Sequence, residues 1–312
     1  MELKPSENTR LYGMNRFFNE ITKLYRQKKM PTKILLSGKK GLGKSTLAYH
    51  IINYILSTDE KFKYDSDNLI INENNRSFKL LQNNSHPNFY LIDLLNDKKN
   101  IDIAQIRKMI TYTNKSTFNN MARFILIDNI EDLNKNSVNA LLKVIEEPNE
   151  NVFFILINNS EKNILPTLRS RCLLFKINFT FAESVEVSSQ IIGENILYLI
   201  NNDLINYYNT PGEIINLINF SNDKSIDLKN YTLINFLNLL IDNGYYKKNK
   251  NVRTLLINFI ELFFLKEYKL TNTKNSLLNF YHNFLNKIYN TEKFNLDDES
   301  LFLEFKSKLL NG

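Results

Sequence analysis

The sequence predicts an α/β domain built on a parallel sheet, followed by an all-helical part. Three observations predict it. Short continuous apolar runs alternate with helix-spaced segments through roughly the first 180 residues, as expected of strands buried on both faces and joined by crossover helices. A glycine-rich stretch, Gly38 to Ser45, lies between the first such run and the first helix. Beyond about residue 180 the strand-like runs stop and only helical periodicity remains.

The elements follow in order. Lys33–Ser37 (KILLS) is a short apolar strand, and Thr46–Leu56 continues as a helix from a start near Lys44. Phe89–Ile92 is a second strand. Ile103–Tyr112 is a helix, with Ile103, Ile106 and Ile110 on one face. Phe124–Ile127 is a third strand that ends in Asp128. Asn139–Glu147 is a helix stopped by Pro148. Val152–Ile157 and Leu173–Ile177 are the fourth and fifth strands. Leu233, Phe236, Leu237 and Leu240, and then Leu255, Phe259, Leu262 and Phe263, fall at helical spacing and read as apolar faces packed on each other.

Composition narrows the function classes. With 312 residues and 43% apolar content, the chain is long enough for two or three domains. Forty basic against 33 acidic residues give a formal charge of +7, which suits nucleic acid without requiring it. Cys172 is the single cysteine, so no internal disulfide forms, and three scattered histidines cannot build a structural zinc site. The polar start, MELKPSENTR, carries no apolar leader, and no apolar window approaches the length of a membrane span. The expectation is a cytoplasmic protein without membrane association.

GKKGLGKS matches G-x-x-x-x-G-K-[ST], the P-loop. Glycines let the backbone turn its N–H groups onto phosphate oxygens, and the following helix points its positive end at them. Gly38, Lys39, Lys40, Gly41, Leu42, Gly43, Lys44, Ser45 and Thr46 are therefore the expected nucleotide-binding residues. Lys44 reaches the β and γ phosphates, and Ser45 holds Mg²⁺. Asp128, at the end of RFILID, is the expected second metal residue. The next position is Asn129, where an ATPase of this kind usually carries a water-activating Glu. An amide cannot accept a proton at neutral pH, so the site is expected to bind ATP and Mg²⁺ and to hydrolyse ATP poorly.

The run VNALLKVIEEPNENVFFILINNSEKNILPTLRSRC resembles the signature stretch of bacterial clamp-loader subunits, AAA+ proteins of the DNA polymerase III holoenzyme. SHPNFYLID, from Ser85, and the box at Tyr12 and Gly13 resemble the delta-prime branch. The resemblance covers roughly residues 10–220. It implies an AAA+ domain over residues 1–178, a small helical lid over 179–224 and an all-α collar over 225–312. It further implies that Arg171, in Ser170-Arg171-Cys172, acts as an arginine finger on the ATP of a neighbouring subunit. Asn158 or Asn159 would be the sensor-1 polar residue. Glu213 stands in NTPGEII where the family carries a basic sensor-2 residue, and the four-cysteine zinc module of many relatives is missing. The implied partners are the other subunits of a pentameric hetero-oligomer, the sliding clamp and primer-template DNA. The implied role is a regulatory holoenzyme subunit without a polymerase site, its own ATPase weak or absent. The alternative is an active gamma/tau-like loader ATPase. On the residues alone, Arg171 also reads as a surface arginine bonded to a loop, and Cys172 as a small buried residue at a strand start.

Overall fold

The computed structural model describes residues 4–95, 98–115, 121–159, 164, 166–206, 209–247, 249–270, 274–294 and 296–310. Two compact units divide the chain. One holds Met1–Glu183 with Thr210–Gly212, and the other Ser184–Asn209 with Glu213–Gly312.

In the first unit, α1 (Asn15–Arg26) precedes β1 (Lys33–Ser37), α2 (Lys44–Leu56) and α3 (Arg76–Gln82). Then come β2 (Phe89–Ile92), α4 (Ile103–Thr113), β3 (Arg123–Ile127) and α5 (Lys135–Glu146). The unit continues with β4 (Val152–Asn158), the single turn α6 (Pro166–Arg169) and β5 (Leu173–Lys176). The strands pair in the order β2-β3-β4-β1-β5, all parallel. All five predicted strands are present, three of them with ends shifted by one residue.

Alternation explains why the strands read as unbroken apolar runs. Ile34, Leu36, Phe124, Leu126, Ile155 and Ile157 enter one core cluster, which also takes in Phe18 of α1 and Leu47, Ile51 and Ile55 of α2. Their neighbours Leu35, Ile125, Ile127, Phe154 and Leu156 enter a second cluster with Ile106 of α4 and Leu141 and Ile145 of α5. The three central strands, β1, β3 and β4, thus bury both faces, while the edge strand β5 leaves Leu173 and Lys176 exposed.

Caps set the helix starts. Asp102 and Gln105 form a reciprocal capping box on α4. Asn134 accepts from the Ser137 amide at 2.9 Å, so α5 begins at Lys135, four residues before the predicted Asn139. At the other end of α4, buried Arg123 donates to the carbonyls of Tyr112, Thr113 and Lys115 at 3.0, 3.2 and 2.9 Å, which satisfies the last turn.

The second unit is helical. After α7 (Phe181–Ile192), which straddles the boundary, it holds α8 (Ile196–Leu199), α9 (Pro211–Lys224), α10 (Leu233–Asp242) and α11 (Lys250–Leu270). Then come α12 (Lys274–Phe294) and α13 (Glu299–Phe305), the latter running on into a π-helical turn over Lys306–Leu310. One apolar cluster runs from Ile196 to Phe305. Leu233, Phe236, Leu237 and Leu240 are buried in it, as their spacing predicts. On α11 the stripe is corrected by one position: Leu256 is the fully buried residue and Leu255 only partly so, because the core wraps that helix on a broad face. Arg253 binds the Asp298 carboxylate through two nitrogens, tying the start of α11 to the N-cap of α13.

Candidate phosphate and metal site

The loop from Gly38 to Gly43 joins β1 to α2 at the carboxyl end of the sheet. Gly38 enters it with its amide on the Asn158 carbonyl at 3.2 Å. Gly41 and Gly43 have φ of +84° and +85°, a conformation that side-chain-bearing residues rarely adopt. Gly43 is the N-cap of α2, and no side chain caps the first amides of that helix. Amides turned outward at a helix start are what a phosphate needs. Leu42 is buried and anchors the loop, while Lys39 and Lys40 are exposed. Lys44 is 3% exposed and donates to the Lys39 carbonyl at 2.6 Å, so its ammonium is held over the loop. Thr46 accepts from the Asn8 side chain at 3.4 Å.

A second segment of the same unit presses on this loop. The Gly212 amide donates to the Gly41 carbonyl at 2.9 Å. A Cβ on Gly212 would lie 2.6 Å from the Gly41 Cα, and one on Gly41 would lie 2.4 Å from Thr210 Oγ1. The two glycines allow a backbone-to-backbone contact that no larger residue permits.

Ser45 and Asp128, the two expected metal residues, meet: the Ser45 hydroxyl donates to Asp128 Oδ2 at 2.5 Å. Burial pushes the Asp128 carboxyl up to about 6, and nearby Asp93 adds to the rise. The Ser45 hydroxyl, the Asn129 amide and Lys44 oppose it. A hydroxyl and a carboxylate set side by side suit a hard cation such as Mg²⁺. Among the described residues no group of three or more His, Cys, Asp or Glu could hold a metal ion, so further ligands would come from phosphate and water.

Asn129 has φ +54°, which an asparagine tolerates. Its side-chain NH₂ donates to Asp93 Oδ1 at 2.7 Å, and its oxygen accepts from the Asn159 side chain at 2.6 Å. Asn158 accepts from Ser37 at 3.2 Å and donates to Glu131 at 3.3 Å, while Glu131 also takes the Asn159 amide. The two sensor-1 candidates therefore divide the contacts: Asn158 faces the end of β1, and Asn159 faces Asn129. Sequence reasoning missed Asp93 and Glu131. Asp93 had a usable signal, since FYLID ends a strand as RFILID does. Glu131 had none.

Arg171 lies away from this constellation, between α6 and β5. Its Nη1 donates to the Thr167 carbonyl at 2.8 Å and its Nη2 to Glu146 at 2.7 Å. The neighbouring Ser170 bonds its own turn at the Thr167 carbonyl. Cys172 is half-buried rather than buried, because it sits just before β5 at the border of the second core cluster. Burial raises its thiol to about 11, which leaves it protonated and unsuited to nucleophilic work. Glu213, in the helical unit, accepts from Asn258 of the same unit at 3.3 Å. Buried His50 bridges the Tyr64 hydroxyl and the Asn8 carbonyl, and burial lowers it to about 4. It is a neutral packing residue.

Among the described residues no helix is long and apolar enough to cross a membrane.

The family described as DNA polymerase III, delta subunit, matches residues 13–180, more than half of the chain. The DNA polymerase III subunit delta' of Buchnera aphidicola from Schizaphis graminum is 30% identical over 161 residues, 51% of this chain and 47% of that protein. Its counterpart from Baizongia pistaciae is 26% identical over 249 residues, 78% of this chain and 66% of that one. The chain thus spans between about half and two thirds of the length of these relatives. A crystal structure of a gamma subunit-related protein of DNA polymerase III from Thermotoga maritima aligns with a TM-score of 0.52, covering 91% of this chain and 96% of that one. At 17% identity, that likeness speaks to the fold alone.

Proposed function

This chain belongs to the DNA polymerase III delta-subunit family and is a delta-prime-like clamp-loader subunit, and from that premise we propose that it binds MgATP, turns it over poorly, and lends Arg171 to a neighbouring subunit. The observation that carries the reading is the occupancy of the position after Asp128. Lys44, Ser45 and Asp128 have the form of a phosphate and metal site, yet the next residue is an amide already bonded on both sides, to Asp93 and Asn159. No side chain at that position can take a proton from water. The sequence adds to the reading: Glu213 stands in NTPGEII where the family carries a basic residue.

The rest of the proposal concerns assembly. The chain takes one place in a pentameric loader of cytoplasmic DNA polymerase III, which sets the sliding clamp on primer-template DNA. Residues 1–178 act as the AAA+ domain, 179–224 as the lid and 225–312 as the collar that joins the subunits. Binding of a non-hydrolysable ATP analogue and steady-state ATPase, both on the isolated chain, test it together. Micromolar binding with negligible turnover is the expected result. Turnover at the rate of an ordinary AAA+ motor would overthrow the regulatory reading in favour of a gamma/tau-like ATPase.

A further inference from the structure

Glu146 is the last residue of α5, with Glu147 as the C-cap and Lys143 the one basic residue of the last turn. Acidic side chains at that end face the negative pole of the helix, which disfavours them. Something else must account for a carboxylate here, and its contact is the Arg171 guanidinium at 2.7 Å. The two side chains are 36% and 51% exposed. A pair so open to water adds little to folding.

The geometry fits a different task. The guanidinium is held at two points by two elements: the Thr167 carbonyl of α6 on Nη1 and the Glu146 carboxylate of α5 on Nη2. An arginine offers five N–H donors, and these two bonds use one on each terminal nitrogen. Three donors remain to meet a phosphate while both anchors stay in place. An unheld arginine would have to surrender its rotamer freedom when a neighbour docks. One held in advance has already done so. We propose that Glu146 is a positioning residue that fixes Arg171 in the geometry from which it serves a neighbour's ATP. This rests on the arginine-finger reading above and adds to it a second residue in the same chain.

The test uses the assembled loader with Glu146→Gln, Glu146→Asp, Arg171→Ala and the double variant Glu146→Gln/Arg171→Ala in this subunit. DNA- and clamp-stimulated ATPase is measured as kcat and KM, and thermal unfolding of each free chain is followed in parallel. Glu146→Gln should lower kcat about 3- to 10-fold with KM for ATP within about twofold, as expected when a transition-state contact loses its alignment. Glu146→Asp should recover part of the loss. The double variant should match Arg171→Ala, since one residue acts through the other, and unfolding midpoints should stay together. An unchanged or raised kcat in Glu146→Gln beside a lowered one in Arg171→Ala would overturn the positioning role and leave the finger standing. Additive losses would do the same. If Arg171→Ala changes nothing, the finger reading fails and the positioning role goes with it.

Discussion

The phosphate loop and the Arg171 surface are built by opposite means. The first is fixed from within: Lys44 is buried, Leu42 is sunk in the core, and Gly38, Ser45 and Asp128 are each held by hydrogen bonds from adjoining strands and helices. The second is fixed from outside, by one carbonyl and one exposed carboxylate. An inward site can be complete within a single chain. An outward one acquires meaning only when something docks against it. The difference teaches where a single sequence carries its own proof: a buried site must satisfy every group locally, whereas a surface arginine has many innocent explanations.

The predictions press on that contrast. Lys44→Ala should have the largest effect, weakening ATP-analogue binding by about 100-fold or more, because a buried ammonium at the phosphates has no substitute. Calorimetric titration checks it, and near-normal binding would show that the inward site is not what holds nucleotide.

Asp128 provides the next. Its folded-state carboxyl titrates near 6, above the ordinary value of 3.8. The folded chain therefore holds a proton more tightly than the unfolded one, and stability falls as pH rises from about 4 to 6, the loss being complete above 6. Asp128→Asn removes that cost and should stabilise the nucleotide-free chain by about 3 kcal/mol at pH 7.5, while weakening Mg²⁺-dependent nucleotide binding. Denaturant melts at pH 5 and 7.5 read both signs. A variant that is less stable at pH 7.5 would mean that the carboxylate is a structural anchor instead.

Arg171→Ala should leave nucleotide binding by this chain intact and lower stimulated ATPase of the assembled loader about 3- to 10-fold. A finger is worth far more at its own site, and a fall larger than that one site's share means that the sites of the loader turn over as a coupled set. Arg171→Lys should restore only part, since a point charge lacks the planar fork. The smallest effect belongs to Arg169→Ala: Arg169, exposed on α6, should stay within about twofold of the parent. A loss equal to that of Arg171→Ala would show that the outward face works by net charge.

Much of the inward half was legible. The central strands announced themselves because both faces are buried, and the loop announced itself because phosphate binding demands glycines at fixed spacing. Ser45 and Asp128, singled out in the sequence, lie within hydrogen-bond distance of each other. The misses have physical causes. The start of α5 is set by Asn134, a polar cap that apolar periodicity does not register. Helices α1 and α3 were not anticipated, nor were α12 and α13, whose polar residues blur the stripe. Asp93 lies 35 positions before Asp128 in sequence yet comes beside it because β2 and β3 are neighbours in register. Glu131 and Glu146 were invisible for the same reason: their contacts, Asn159 and Arg171, are 28 and 25 residues away.

The contact between Gly41 and Gly212 makes one amide proton an informant. The Gly212 N–H is engaged by the tip of the phosphate loop at 2.9 Å, so its exchange with deuterated water registers whether that tip holds its place. It is also a backbone signal that needs no dye or substitution. A chain carrying its own indicator beside the nucleotide loop can be watched through every stage of assembly without being altered at either end of the contact.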